Sequence, residues 1–218
     1  MSRNTRAQAA ASQLRGEILG GVYLSGERLR ELAVAGRLQV SQSTVRDALA
    51  LLEREGWVVS TPRHGTAVRA FTPAEADDVY RLIGVLAPLA FEWVVDAARK
   101  PRLREIAHFL DEARAAAGDE QTIPALAALI GWLGALAEIA DRPVTGELLA
   151  GLLRRAHIIE LVREARAPLP LPELSALAAR HVDVQRALGM GDYDLACRLY
   201  APVIETLRAA AVVALAVG

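Results

Sequence analysis

The chain has 218 residues, of which 53% are hydrophobic and 23% are charged. This length accommodates one large domain or two modest ones, and an apolar fraction dominated by Leu and Ala favours helices over strands. The single cysteine, Cys197, excludes an internal disulfide framework and the usual thiolate zinc sites.

The formal net charge of −1 conceals two oppositely charged parts of the chain. Residues 1–70 contain ten Arg and six acidic residues, whereas residues 71–218 contain fifteen basic and twenty acidic residues. The N-terminal part is therefore the part suited to face the phosphates of a nucleic acid. Arg6 belongs to the basic segment that opens this part, although such a segment, taken alone, is more often a solvated tail.

Three helices and a β-hairpin are predicted at the N-terminal end. The spacing of apolar residues predicts a first helix over 6–20 and a third helix that begins near Ser41 and ends at Glu55. Between them it predicts a second short helix that ends at Leu38 and whose start the sequence does not fix. Two β-prone runs follow, at 57–60 and 66–69, around a turn rich in Pro and Gly. This order of elements predicts a winged helix-turn-helix domain over residues 1–71.

The remainder of the chain is predicted to be helical. Thr72 is a suitable N-cap and Pro73 a suitable first helical residue. Breaks at Pro and Gly then divide the pattern into helices at about 73–98, 102–117, 122–140, 144–166, 172–189 and 192–216. We therefore predict a mostly α protein whose residues 72–218 form an antiparallel all-α bundle of six or seven helices.

One uncharged segment, 121–137, raises the alternative of a membrane span. It is shorter than the roughly 20 residues that a span requires, and it is bracketed by Glu120 and Glu138 instead of basic anchors. We interpret it as a buried helix. Since no secretory signal opens the chain, we expect a cytoplasmic protein without a membrane partner.

The start of the third predicted helix carries side chains typical of a DNA contact: Ser41, Gln42, Ser43, Thr44 and Arg46. Short hydroxyl side chains can bond phosphates or base edges, Gln42 can pair with adenine, and Arg46 can read guanine or hold a phosphate. The first four residues, taken alone, are more often an ordinary capped helix start. Together with the basic charge and the hairpin, they favour insertion of this helix into the major groove of DNA.

The segment 38–58 resembles the GntR family of bacterial regulators, with Val40-Ser41 in the turn and Val45-Arg46-Asp47-Ala48-Leu49 in the helix. The predicted hairpin adds residues similar to the wing of that family: Arg63, His64, Gly65 and Thr66. The resemblance implies that Arg46 is a principal DNA contact, and the wing position of His64 favours the adjacent minor groove or its phosphates. Gln39 replaces the usual Gly and Gln42 the usual Arg, so the operator sequence is expected to differ from the common one.

The C-terminal part resembles, more loosely, the FCD effector domain of the FadR subfamily, and its VanR-like branch in particular. The similar segments are 80–90, 136–143 and 181–192. The resemblance implies a small-molecule pocket and dimerisation. Many such domains bind a divalent metal through one Asp and three His, but Leu129, Leu133 and Val203 stand where three ligands would fall, and only His181 is retained. We predict no metal and no other cofactor.

The same replacements predict an effector that is hydrophobic and uncharged, or that keeps its charge at the pocket mouth. The predicted effector-binding residues are Tyr80, Gly84, Ala87, Leu129, Trp132, Leu133, His181 and Val203. The alternative is a bundle that is filled by its own side chains and serves only dimerisation, with His181 as a hydrogen-bonded core residue.

No motif of a nucleophile, a phosphate loop, a zinc protease or a dinucleotide site occurs in the chain, so the sequence does not predict an enzyme. It predicts a ligand-responsive transcriptional repressor that binds an inverted-repeat operator as a homodimer. A helical adaptor or dimerisation scaffold that does not bind DNA is the alternative.

Overall fold

The computed structural model describes residues 3–19, 22–96 and 100–216. The chain divides into two compact units, Met1–Ala70 and Phe71–Gly218. The division lies one residue before the predicted domain boundary.

The N-terminal unit contains three helices and a two-stranded hairpin. Its elements are α1 (Arg3–Leu19), α2 (Glu31–Leu38), α3 (Gln42–Glu55), β1 (Val58–Thr61) and β2 (Gly65–Val68). Helices α1 and α2 pack on α3, whose Val45, Ala48 and Leu52 are fully buried. The apolar stripe at a spacing of three and four therefore faces the core, and the prediction of a winged helix-turn-helix is confirmed.

The turn between α2 and α3 depends on a residue in the left-handed conformation. Gln39, with φ 52° and ψ 42°, ends α2 and donates its backbone N–H to the carbonyl of Ala35. This conformation costs a residue other than glycine about 1–2 kcal/mol, which explains why glycine favours this position. Two residues later, Ser41 caps α3 by accepting a hydrogen bond of 3.2 Å from the backbone N–H of Thr44.

The hairpin pairs β1 and β2 antiparallel, from Val58 opposite Val68 to Thr61 opposite Gly65. A further segment, which the sequence did not predict, extends it: Arg28 bridges to Ala67, and the N–H of Leu29 donates to the carbonyl of Thr66 at 2.9 Å. The chain before α2 is therefore fixed to the hairpin through backbone hydrogen bonds.

The C-terminal unit is helical throughout the regular elements of its described residues. Its seven helices are α4 (Pro73–Val94), α5 (Lys100–Glu105), α6 (Ala107–Gly118), α7 (Thr122–Ala140), α8 (Pro143–Arg166), α9 (Leu171–Met190) and α10 (Tyr193–Ala216). Thr72 caps α4 in a reciprocal arrangement with Glu75, as the capping prediction requires. The prediction of a bundle of six or seven helices is confirmed.

Two predicted helix bounds in this unit are wrong. The predicted helix at 102–117 is two helices, because Ile106 adopts φ −92° and ψ 0° and places its side chain in the core. Helix α4 ends at Val94, four residues before the predicted end, which lies outside the described residues.

Helix α7 contains residues 122–137 of the uncharged segment, and it packs against α4, α6 and α8. By length and composition alone, both α7 and α10 are apolar enough to cross a membrane. Trp132 and Leu136 of α7 are nevertheless fully buried within the unit, as expected of the central helix of a bundle.

Candidate functional site

The first turn of α3 presents a polar surface on the N-terminal unit. Ser41, Gln42, Ser43 and Arg46 are exposed, and 65% of the Arg46 side chain is accessible. Thr44 differs, because only 7% of it is exposed and its hydroxyl lies 2.8 Å from the Ser41 hydroxyl. Thr44 therefore supports the cap of α3, whereas the other four side chains are available to a partner.

A carboxylate of α2 organises this surface, and sequence reasoning missed it. Glu31 accepts hydrogen bonds from Arg46 Nε at 3.1 Å, Arg46 Nη2 at 2.7 Å and Gln42 Nε2 at 2.8 Å. The hydrogen bonds from Arg46 and Gln42 lower the pKa of the Glu31 carboxyl, and the hydrogen bond to Glu31 raises the pKa of Arg46. One side chain thus holds two of the predicted DNA contacts in fixed orientations.

The predicted wing residues lie together at the tip of the hairpin. Arg63, His64 and Gly65 are exposed, and Arg63 and Gly65 have positive φ values of 66° and 78°. Thr66 is partly buried, with its hydroxyl 3.0 Å from that of Ser60. Arg28, a residue that sequence reasoning missed, adds a guanidinium nitrogen 3.3 Å from His64 Nδ1. The tip therefore carries at least two exposed arginine side chains, and Arg6 is also exposed, on α1.

A small cavity of about 30 Å³ lies inside the C-terminal unit. Four of the predicted effector-binding residues line it, namely Tyr80, Leu129, Leu133 and His181. The other four, Gly84, Ala87, Trp132 and Val203, are not in its lining. Space of this size holds a water molecule or two and no organic effector. In this conformation the bundle is therefore largely filled by its own side chains.

Tyr80 and Glu160 place two polar side chains in a cavity lining that is otherwise mostly apolar. The Tyr80 hydroxyl donates to Glu160, which in turn accepts a hydrogen bond of 2.6 Å from Arg163 Nε. Arg163 has no exposed surface and also donates to the Ala167 carbonyl and to Glu164. Burial raises the pKa of Glu160, and the positive charge of Arg163 offsets part of that rise. Burial and the neighbouring Glu160 carboxylate both raise the pKa of Tyr80. Sequence reasoning missed Glu160 and Arg163.

His181 is a buried, neutral member of an aromatic cluster. Its ring meets Trp132 and Tyr200 edge to face, with ring centres 5.4 Å and 5.9 Å away. Its Nδ1 lies 2.8 Å from the carbonyl of Leu177, one turn earlier in α9, so Nδ1 carries the proton. Burial lowers the pKa of His181 to about 4. Among the described residues, no group of three or more His, Cys, Asp and Glu side chains surrounds this position.

Because His181 is neutral when folded, its protonation should destabilise the protein in acid. The unfolded state binds a proton near pH 6.5 and the folded state only near pH 4. The stability due to His181 is therefore present above pH 6.5 and is lost as the pH falls, by about 3 kcal/mol at pH 4. Urea unfolding of the wild type between pH 4 and 7 should show this loss of folding stability, and His181→Phe should not show it. His108→Phe, at an exposed histidine, is the control that should retain it; equal pH profiles for all three proteins would contradict the prediction.

Two sequence models of known families match the chain, one in each unit. The model described as bacterial regulatory proteins, gntR family, matches residues 6–68, and the FCD domain model matches residues 78–206. The chain belongs to the GntR family and carries an FCD domain. The GntR match contains the whole of α3 and the hairpin, and the FCD match contains the residues around the cavity up to Ile204.

The chain is similar to curated transcriptional regulators over part of its length. It is 33% identical over 101 residues to YdhC of Bacillus subtilis, an uncharacterized HTH-type transcriptional regulator, covering 46% of this chain and 45% of that protein. It is 28% identical over 111 residues to the gluconate operon transcriptional repressor of the same organism, covering 51% of this chain and 45% of the repressor. The chain thus matches about half the length of these two relatives.

Solved structures share the whole fold. A transcriptional regulator GntR from Rhodococcus sp. RHA1 has a TM-score of 0.76 at 24% identity, over 96% of this chain and 99% of that one. E. coli McbR/YncC has a TM-score of 0.75 at 18% identity, over 94% and 95%. These proteins therefore share the same order of units, in which a three-helix unit with a hairpin is followed by a helical unit.

Proposed function

We propose that this GntR-family regulator binds an inverted-repeat operator as a homodimer through the first turn of α3. The observation that carries the proposal is the exposed polar set Ser41, Gln42, Ser43 and Arg46 at that helix end. A helix start with short side chains can approach base edges, while one long cation reaches guanine or a phosphate. The apolar face of α3 is buried against α1 and α2, so the polar face is the one left for DNA.

The wing and α1 supply the contacts that do not depend on sequence. Arg28, Arg63 and His64 lie at or beside the hairpin tip and are exposed, as is Arg6. Cations in these positions neutralise phosphates, which increases affinity without selecting a sequence. In this proposal, α3 therefore determines which operator is bound, and the wing and Arg6 determine how tightly the duplex is held.

The proposed dimer is supported by an apolar stripe on α4. Leu82, Val85 and Leu89 follow one another at intervals of three and four residues, and all three are exposed. Large apolar side chains in such a row are typical of a protein interface. In a dimer with twofold symmetry, two α3 helices about 34 Å apart would read two half-sites of an inverted repeat.

The proposed effector is hydrophobic and uncharged, and its site contains no metal. Arg163 is fully buried, is held by hydrogen bonds from all three of its nitrogens and is not among the residues that line the cavity, so the lining offers no guanidinium to a carboxylate effector. Tyr200 and His181 also line the cavity, and their hydroxyl and imidazole groups are suited to a neutral polar group of the effector. Because the cavity is small, the effector would select a more open packing of the bundle and thereby change the DNA-binding state. This model gives a cytoplasmic, ligand-responsive repressor.

Selection of bound DNA from a random duplex pool tests the proposal. The expected product is an inverted repeat whose half-site centres lie one helical turn apart. Affinity for the selected duplex should fall steeply as salt rises, because phosphate contacts release counterions. A helical adaptor would enrich no sequence and would show no affinity that depends on salt. For the effector, micromolar binding of a small carboxylate together with zinc would contradict the proposed site.

A further inference from the structure

The carboxylate of Glu31 joins the two α3 side chains best suited to read bases. Glu31 is the first residue of α2, and both of its oxygens accept hydrogen bonds from α3. Two of the three bonds come from Arg46 and one from Gln42, over distances of 2.7–3.1 Å. Gln42 and Arg46 lie one helical turn apart on the exposed face, so a single acceptor orders both.

We infer that Glu31 is a positioning residue that fixes how Gln42 and Arg46 meet the operator and thereby sets which bases are selected. The inference rests on the proposed binding of DNA through α3. Glu31 itself need not touch DNA in this arrangement, because its two oxygens are directed to α3 side chains.

Arg46 keeps enough free N–H donors to form hydrogen bonds with a base while it is bound to Glu31. A guanidinium has five N–H donors, and Glu31 engages Nε and one hydrogen of Nη2. Both hydrogens of Nη1 and the second hydrogen of Nη2 remain, on the edge away from Glu31. These donors form the fork that pairs with O6 and N7 of guanine, or with two oxygens of a phosphate.

Gln42 is held in one of its two amide orientations. Since Nε2 donates to Glu31, and a carboxylate accepts only, the amide cannot rotate to place its oxygen there. The second Nε2 hydrogen and the oxygen Oε1 remain free to bond N7 and N6 of adenine. Glu31 thus gives a flexible side chain the donor and acceptor pattern of one base.

A surface ion pair with no functional role is the competing explanation, and it predicts different measurements. The pair is accessible, with 65% of Arg46 and 30% of Glu31 exposed, and exposed pairs contribute little to folding stability. Loss of Glu31 should therefore leave the unfolding midpoint almost unchanged under either explanation. Only a positioning role changes the ratio of affinities for the selected and random duplexes.

The test compares the wild type with Glu31→Gln, and with Glu27→Gln as the matched control. Glu27 is an exposed acid of the same unit that accepts from the backbone N–H of Leu24, a bond that glutamine can retain. Both variants remove one negative charge and gain the same electrostatic attraction to DNA. In Glu31→Gln, however, the amide can offer either an oxygen or a nitrogen to Gln42, and Arg46 loses its two-oxygen acceptor.

The wild type is first used to select an operator from a random pool, and each protein is then titrated with that operator and with random duplex. Glu31→Gln should lower the ratio of the two affinities about tenfold and should relax the same base positions as Gln42→Ala. Glu27→Gln should keep the wild-type ratio. If Glu31→Gln matches Glu27→Gln in ratio and base preference, the positioning role is overturned while DNA binding through α3 stands. If the wild type selects no operator, the proposed function and the role of Glu31 both fail.

Discussion

Arg46→Ala should weaken binding of the selected operator about 100-fold, because a homodimer would lose one bidentate contact in each of two half-sites. Fold and stability should be nearly unchanged, since Arg46 is exposed and pairs with Glu31 at the surface. Fluorescence anisotropy with a labelled operator at fixed salt measures the loss. Circular dichroism during heating checks that the variant remains folded.

The matched control for this substitution lies on the same helix. Arg54 is an exposed arginine near the end of α3 whose Nε bonds the carbonyl of Ala50. Arg54→Ala removes the same charge eight residues away, so a general electrostatic effect would appear equally in both variants. If Arg46→Ala and Arg54→Ala bind the operator alike, α3 does not enter the major groove in the proposed way.

The N-terminal unit could be predicted well because its signals are local. Ser41 and Gly56 mark the two ends of α3 by capping, and the residues between them follow the spacing of a helix with one buried face. The turn residues Arg63-His64-Gly65 likewise mark the hairpin. Each of these signals lies within a few residues of the structure that it forms.

The missed residues depend on contacts between segments that are distant in sequence. Glu31 meets Arg46 across 15 residues, and Arg28 meets His64 across 36. Tyr80 and Glu160 are 80 residues apart. No pattern of composition or spacing indicates which carboxylate an arginine will meet once separate helices have packed.

The interior of the bundle was predicted in part, because two buried charged residues of α8 were missed. Glu160 and Arg163 are charged residues in a long helix whose apolar residues occur on all sides, so no face is marked as exposed. Charged side chains are ordinarily solvent-exposed unless they are paired, and the sequence does not show that these two are. The expectation of an apolar cavity followed from Leu129 and Leu133, which do line it. Glu160 is the charged member of that lining, and no pattern in α8 marked it as buried.

Arg163→Met should destabilise the C-terminal unit by about 3–5 kcal/mol, which is the usual cost of leaving one member of a buried ion pair without its partner. Arg163 is fully buried and Glu160 almost so, and without the guanidinium the carboxylate keeps only the hydroxyl of Tyr80. Urea unfolding monitored by circular dichroism measures the loss. Arg186→Met is the matched control, because Arg186 forms an ion pair with Asp183 at the same spacing of three residues, but on the exposed surface of α9. This substitution should destabilise the protein by less than about 1 kcal/mol.

A second substitution separates loss of charge balance from loss of packing. In Glu160→Gln/Arg163→Met the buried charge is gone, while the amide oxygen still accepts from the Tyr80 hydroxyl, so more than half of the lost stability should return. The single variant should also become less stable as the pH rises from 5 to 8. Burial already raises the pKa of Glu160, and without Arg163 the folded state retains a proton that the unfolded state releases above its ordinary pKa. An Arg163→Met protein with a flat profile over this range, and with no recovery in the double variant, would show that Glu160 and Arg163 act through packing alone.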